Sequence, residues 1–338
     1  MDIFKNTTFD FLRWRWHALA LSVLIVLAGI GYMATRGGLP LGIDFSGGTI
    51  VVLKFDRPVT EEAVRNAVAS LPGEKVVQRY GQAGENEILV RLPETGAEQG
   101  FSLEEGSKAI LAAVETANLG TFEVLSTEVV GPVIGKDLQR KGIYATLASI
   151  LGIAIYIAVR FRPSFAIGAI VATFHDIFVT LAFLAFFGYE LSLNVVAAIL
   201  TIAGYSVNDT IVVFDRVREN LKLMRREPLD RVVNTSVNQT LARTVITAGT
   251  TFLAVLALYI FGGDVLRGFA FTMLVGIVSG TYSTVFIASA IAIILSQRKA
   301  ARAGGAEPSA ARKGGARPAT NGARPADKPA RKPARKGA

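Results

Sequence analysis

Two short runs put ionisable side chains inside long apolar stretches: His175–Asp176 within 165–187, and Asn208–Asp209 within 191–214. An ionisable group at mid-bilayer costs about 2.5–3.5 kcal/mol on insertion scales, so each one needs a partner or a task. Position selects a partner for Asp209. It lies 18 residues in from 191, and Arg243 lies 18 residues in from 261, where the next apolar stretch ends. At 1.5 Å per residue both reach a depth of about 27 Å. The two are also equidistant from Arg226, in a basic turn that ends at Pro228, so an antiparallel hairpin presents them to each other if both face the same side. A carboxylate beside a guanidinium keeps its charge in a low dielectric, and one left alone there takes up a proton. Alternating between those arrangements makes a proton-coupled switch, driven by about 2.3 kcal/mol per charge per 100 mV of membrane potential. A static ion pair that only fixes helix packing is the plainer alternative. Asp176 sits eleven residues from Phe187, near mid-membrane. Neighbouring helical residues point about 100° apart, so a relay through His175 and Asp176 toward Asp209, and a packed polar contact to an adjacent helix, are both open.

These side chains need a membrane-spanning frame. The 338 residues are 51% hydrophobic and 19% charged, with mean hydropathy +0.42, against about 25% charge in an average soluble domain. A span takes about 20 mostly apolar residues, and six stretches meet or approach that: 18–34, 143–159, 165–187, 191–214, 244–261 and 269–295. The first is short, but Trp14 and Trp16 precede it as interfacial anchors and no small-residue cleavage pattern follows, so it reads as a retained anchor. Gly276 and Gly280 in the last stretch form a small-xxx-small pattern that brings helices close. Lys and Arg cluster at alternate ends: Lys5, Arg13 and Arg15; Arg160 and Arg162; six between 216 and 231; and twelve from Arg298 onward. The opposite turns hold little more than Glu190 and an Arg267 beside Asp264. The positive-inside rule then predicts a cytoplasmic segment 1–17 and a cytoplasmic tail 298–338.

Between the first two spans, 35–138 is long enough for its own core. Strands are predicted at 49–55, 76–80, 88–92 and 122–130. Helices are predicted at 60–71, where Val64, Ala67, Val68 and Leu71 share a face, and at 102–117, opened by a Ser102–Glu105 capping box. The order βαββαβ implies a ferredoxin-like α+β domain on the outer side. It contains no constellation suited to catalysis, so a docking or substrate-contacting module is expected rather than an enzyme.

No cysteine and only two histidines argue against disulfides, thiol catalysis and a protein-built zinc centre, and no cofactor is called for. The net charge of +9 is local: the tail holds 12 basic and 2 acidic residues. Its Ala, Gly, Pro, Lys and Arg composition predicts disorder. Such a tail reinforces orientation; contact with anionic lipid or ribosomal RNA is a further reading, and no specific nucleic acid is indicated.

Four runs carry a family resemblance: GIDFSGGT at 42–49, VGPVIGKDLQRKG at 130–142, FHD at 174–176 and GYSVNDTIVVFDRVREN at 204–220. In order and spacing over roughly 10–297 the sequence resembles the SecF subunits of the bacterial protein translocase, within the resistance-nodulation-division superfamily. The resemblance implies a six-helix half-unit in the inner membrane. It implies a partner, SecD, supplying a second half, association with the SecY/SecE/SecG channel and the translocating preprotein, and export assisted by the proton motive force. The family's membrane carboxylate falls on Asp209, beside Asn208, and its arginine on Arg243; His175 and Asp176 match a further motif. Two rivals stand beside this reading: a proton-coupled exporter half for a lipid or drug, and a scaffold for membrane-protein insertion without a proton cycle.

Overall fold

The computed structural model describes residues 7–73, 75–81, 84–92 and 103–304. Ser102 of the expected capping box and most of the basic tail lie outside the described residues. Contacts divide the chain into a compact unit up to Gln297 and a separate unit from Arg298.

In chain order the elements are α1 (Arg15–Thr35), α2 (Ile43–Ser46), β1 (Gly48–Phe55), α3 (Glu61–Ala67), β2 (Val76–Tyr80), β3 (Glu87–Leu92), α4 (Leu103–Thr116) and β4 (Phe122–Val130), followed by α5 (Pro132–Arg160), α6 (Pro163–Phe187), α7 (Leu193–Leu223), α8 (Leu229–Phe261), α9 (Gly263–Ser283), a π-helical turn (Thr284–Ala288) and α10 (Ser289–Gly304). Among the described residues, six helical segments are long and apolar enough to cross a membrane, matching the number expected from hydropathy. Several run past their apolar windows. α5 begins at Pro132 and α8 at Leu229, well before 143 and 244. Backbone hydrogen bonding does not stop where lipid does, and a polar extension remains helical when something uses it. In α8, Asn234 and Asn238 hold the backbone of Phe9 and Phe11, and Asp230 pairs with Arg15 at 2.8 Å.

The small domain is a four-stranded antiparallel sheet in the order β2-β3-β1-β4, the ferredoxin-like arrangement expected from βαββαβ. Alternate residues of its central strands, Val51, Leu53, Ile88 and Val90, close on Val64 of α3 and Ile110 of α4, as the period of two in strands requires. The turn into β1 needs glycine: Gly47 and Gly48 have φ of 74° and 128°, and a Cβ on Gly47 would meet the Val130 carbonyl and Pro132 at 3.3 Å.

The spanning helices approach one another through small residues. Gly29 of α1 lies against Ala182 of α6, Gly168 of α6 against the Ala288 carbonyl, and Gly276 and Gly280 of α9 against Ile202 and Ser206 of α7. Between apolar helices in lipid, close approach and side-chain hydrogen bonds replace the hydrophobic drive. The Gly276–Gly280 pair therefore seats α9 on α7, and that contact builds the site described next.

Candidate proton-transfer site

Asp176, on α6, is fully buried. Ser206 of α7 donates to its Oδ2 at 2.5 Å, Ser283 of α9 to Oδ2 at 2.7 Å and Ser279 of α9 to Oδ1 at 2.7 Å. His175 Nδ1 stands 3.1 Å from Oδ1. One carboxylate thus gathers hydroxyls from two other helices, the kind of pairing a buried ionisable group requires. Ser279 precedes Gly280, and Ser283 follows it by three residues, immediately before the π-helical turn; Ser289, the residue after that turn, donates through Oγ to the Thr284 carbonyl at 3.0 Å. Local π turns recur at functional positions in helices. Beside this cage, Thr210 of α7 and Thr284 share a hydrogen bond at 2.9 Å.

Asp209 lies three residues past Ser206 on α7, one turn along the helix. Its Oδ1 accepts a hydrogen bond from Thr244 of α8 at 2.7 Å. The hairpin of α7 and α8 brings positions 209 and 244 to one level, but Thr244, not Arg243, meets the carboxylate. Arg243 is exposed and forms no ion pair with Asp209, and Asn208 is also exposed, without a side-chain hydrogen bond among the described residues. A step of one residue changes depth by 1.5 Å and direction by about 100°, so depth alone could not distinguish position 243 from 244.

Among the described residues, two buried side-chain polar atoms have no hydrogen-bond partner: His175 Nε2 and Asp209 Oδ2. Buried polar atoms in folded proteins are nearly always partnered, so each exception calls for an explanation. His175 faces an apolar cleft of about 430 Å³ between α1, α6, α8 and α9, walled in part by Ile25, Phe252 and Val278. Tyr282 closes one side, bonding the Ala18 carbonyl at 2.7 Å and accepting from Ser22 at 3.1 Å. The structure therefore brings His175 and Asp176 together, joins Asp176 through Ser206 to the helix that carries Asp209, and leaves Asn208 and Arg243 on an outward face. The three serines, Thr244, Thr210 and Thr284 escaped the sequence reading. Of these, only Ser279 and Ser283 carried a signal, their place around the glycine pair.

A second group of contacts ties the small domain to the helices that hold the acids. Leu41 and Leu191 pair as a short parallel bridge, with Gly42 N to the Leu191 carbonyl at 2.8 Å and Leu191 N to the Pro40 carbonyl at 2.7 Å. Asp44 accepts from Leu193 N at the start of α7, at 2.8 Å. Arg91 of β3 pairs with Glu190 at 2.8 Å and donates to the Leu41 carbonyl and Ser46 Oγ at 2.8 and 2.7 Å. The five-residue connection between α6 and α7 is thus fastened to the sheet domain by one ion pair and several backbone bonds.

Comparison with known proteins converges on one family. The SecD/SecF C-terminal family of protein export membrane proteins matches residues 110–298, and the SecD/SecF GG motif matches 32–59, which contains the Gly47–Gly48 turn. The protein translocase subunit SecF of Rhodothermus marinus is 42% identical over 310 residues, covering 89% of this chain and 98% of its own. SecF of Escherichia coli O157:H7 is 38% identical over 292 residues, with 86% and 89% covered. The crystal structure of SecDF from Thermus thermophilus, a translocon-associated membrane protein, superposes with a TM-score of 0.77 at 36% identity over 88% of this chain. A SecDF structure in its super-membrane-facing form gives 0.66 at the same identity. This chain spans 40% of the length of each SecDF chain. On this evidence of sequence, motif and fold, the chain belongs to the SecF family of protein translocase subunits.

Proposed function

We propose that this chain works as the SecF-type half of a two-half unit that uses proton movement across the cytoplasmic membrane to assist export through the Sec channel, with Asp209 as the proton-carrying group. One observation carries the reading: among the described residues Asp209 holds a single hydrogen bond, from Thr244, and its other oxygen is buried without a partner. Such a carboxyl is held in position yet keeps a free lone pair for a proton. The Asp176 cage is the complement, a carboxylate saturated by hydroxyls. It fixes α6, α7 and α9 around Ser206, and through Ser206 lies one turn from Asp209, so His175 and Asp176 can pass a proton toward it.

The outward Asn208 and Arg243 are the parts of the site that a second, SecD-type half would meet. An exposed guanidinium at the depth of Asp209 is costly in lipid and favours a protein neighbour. Protonating Asp209 removes a charge from the α7–α8 contact, and each proton crossing the field contributes about 2.3 kcal/mol per 100 mV. A resulting shift of α7 reaches the sheet domain through Leu193–Asp44 and Glu190–Arg91, which moves the surface that contacts the emerging preprotein. Both termini are cytoplasmic in this scheme, as the basic residues at that end favour.

The test replaces Asp209 with Asn in the full translocase and measures export into inverted vesicles with and without a proton gradient. The expected result is loss of the gradient-dependent increment while ATP-driven export persists. An increment equal to that of the unaltered protein overturns the role of Asp209.

A further inference from the structure

At the end of the bundle opposite the sheet domain, four cations converge on one cavity of about 460 Å³: Arg160, Arg162, Arg218 and Lys222. The local chain explains the convergence. α5 ends at Arg160, Phe161 and Arg162 are extended, and α6 starts at Pro163, so a two-residue turn holds both arginines at the mouth. Arg218 and Lys222 lie one turn apart on α7 and face the same cavity. Arg160 is already neutralised by Asp215, both of whose carboxylate oxygens accept from its Nη2, at 2.7 and 3.0 Å. The side chains of Arg162, Arg218 and Lys222 have no hydrogen-bond or ion-pair partner among the described residues, and no acidic residue lines the cavity. The floor is apolar and aromatic: Phe214 is buried, with Phe165 edge-on to it at 5.1 Å and Phe161 at 5.9 Å.

A rim of unpaired cations over an aromatic floor, where spanning helices leave the bilayer, suits a molecule with an anionic head and an apolar body. We infer that this cavity binds an anionic phospholipid of the surrounding membrane, with its phosphodiester among Arg162, Arg218 and Lys222 and the glycerol and first acyl carbons against Phe165 and Phe214. Basic pockets between helices on the positive side of a membrane recognise such head groups, and the planar guanidinium forks of Arg162 and Arg218 match a phosphate better than point charges do. The volume falls in the range of small-molecule sites. Asp215, which secures Arg160 at the rim, lies six residues from Asp209 on the same helix, so an occupied cavity braces the basic end of α7. The inference concerns this end of the bundle and requires only that the chain spans a membrane; it stands whether or not Asp209 carries protons.

The test uses the intact complex purified in detergent. Phosphatidylglycerol is titrated in and the bound lipid is counted by native mass spectrometry. The Arg162→Gln/Arg218→Gln/Lys222→Gln variant is set against an Arg13→Gln/Arg225→Gln/Arg226→Gln variant that removes the same charge elsewhere at that end. Each cation is expected to contribute about fivefold, so the cavity triple should weaken phosphatidylglycerol binding more than tenfold. The control should change it less than about twofold, and phosphatidylcholine should bind both alike. Single Arg218→Gln, on an exposed side chain, should lose about fivefold and guards against misfolding of the triple. Equal losses in the two triples, unchanged binding in the cavity triple, or displacement of the lipid by millimolar inorganic phosphate each overturn the assignment.

Discussion

The Thr244 hydroxyl reaches Asp209 Oδ1 across the α7–α8 contact at 2.7 Å, and the second carboxylate oxygen has no partner among the described residues. In the proposed proton cycle this hydrogen bond orients the carboxyl. Thr244→Val, which keeps the shape and removes the donor, should cut gradient-stimulated export about tenfold or more, from the ~1.5–3 kcal/mol that a hydrogen bond to a charged group contributes. Thr244→Ser should keep most of it. Equal export by the Val and Ser variants contradicts the orienting role.

The Asp176 cage is expected to hold the bundle together. Replacing Ser206, Ser279 or Ser283 with Ala removes one donor from a buried carboxylate, at about 1.5–3 kcal/mol each. Thermal unfolding in detergent should show each variant less stable than the unaltered protein, and less stable than one with Ala at the exposed Ser70. Melting temperatures indistinguishable from that control would remove the cage from the account.

The glycine pair should be a spacing device whose defect can be repaired. A Cβ at Gly276 would meet the Ile202 side chain at 2.5 Å, so Gly276→Ala pushes α9 from α7 and strains the Ser206–Asp176–Ser279 contacts. Ile202→Ala opens the space. The double variant should recover much of the stability and export lost in Gly276→Ala, although Ile202→Ala alone costs about 2–5 kcal/mol. Additive losses, read as a double-mutant cycle, contradict a steric cause.

Arg91 and Glu190 form the charged part of the joint between the sheet domain and the α6–α7 connection. A cycle of Arg91→Gln, Glu190→Gln and the double variant should give a coupling of about 1 kcal/mol in stability. Both single variants should lower gradient-stimulated export while leaving proton entry intact. Proton flux that falls in step with export would move the pair from transmission to the ion path.

The sequence exposed the frame more fully than the site. Hydropathy located six spans because a spanning helix must be apolar along most of its length. The sheet domain was legible because Val64, Val68, Ile110 and Val114 repeat at helical spacing between alternating strands. Asp176 and Asp209 were conspicuous because charge in a span is rare. Their partners were not: serine and threonine are ordinary in packed spans, and nothing in their spacing says which helix they face. The displacement of Arg243 by Thr244 has the same origin, since depth is readable from counting and azimuth is not. The polar extension of α8 was missed because its asparagines look like loop until the Phe9 and Phe11 backbone is seen lying on them.

The central claim is that Asp209 carries protons, and proton flux tests it most directly. The SecF-type chain, reconstituted with its SecD-type partner in liposomes that contain a pH-sensitive dye, receives an imposed pH gradient and potential. The account predicts measurable proton entry with Asp209 present, reduced entry with Asp209→Glu and background entry with Asp209→Asn. Entry through the Asn variant at the rate of the unaltered protein would contradict it.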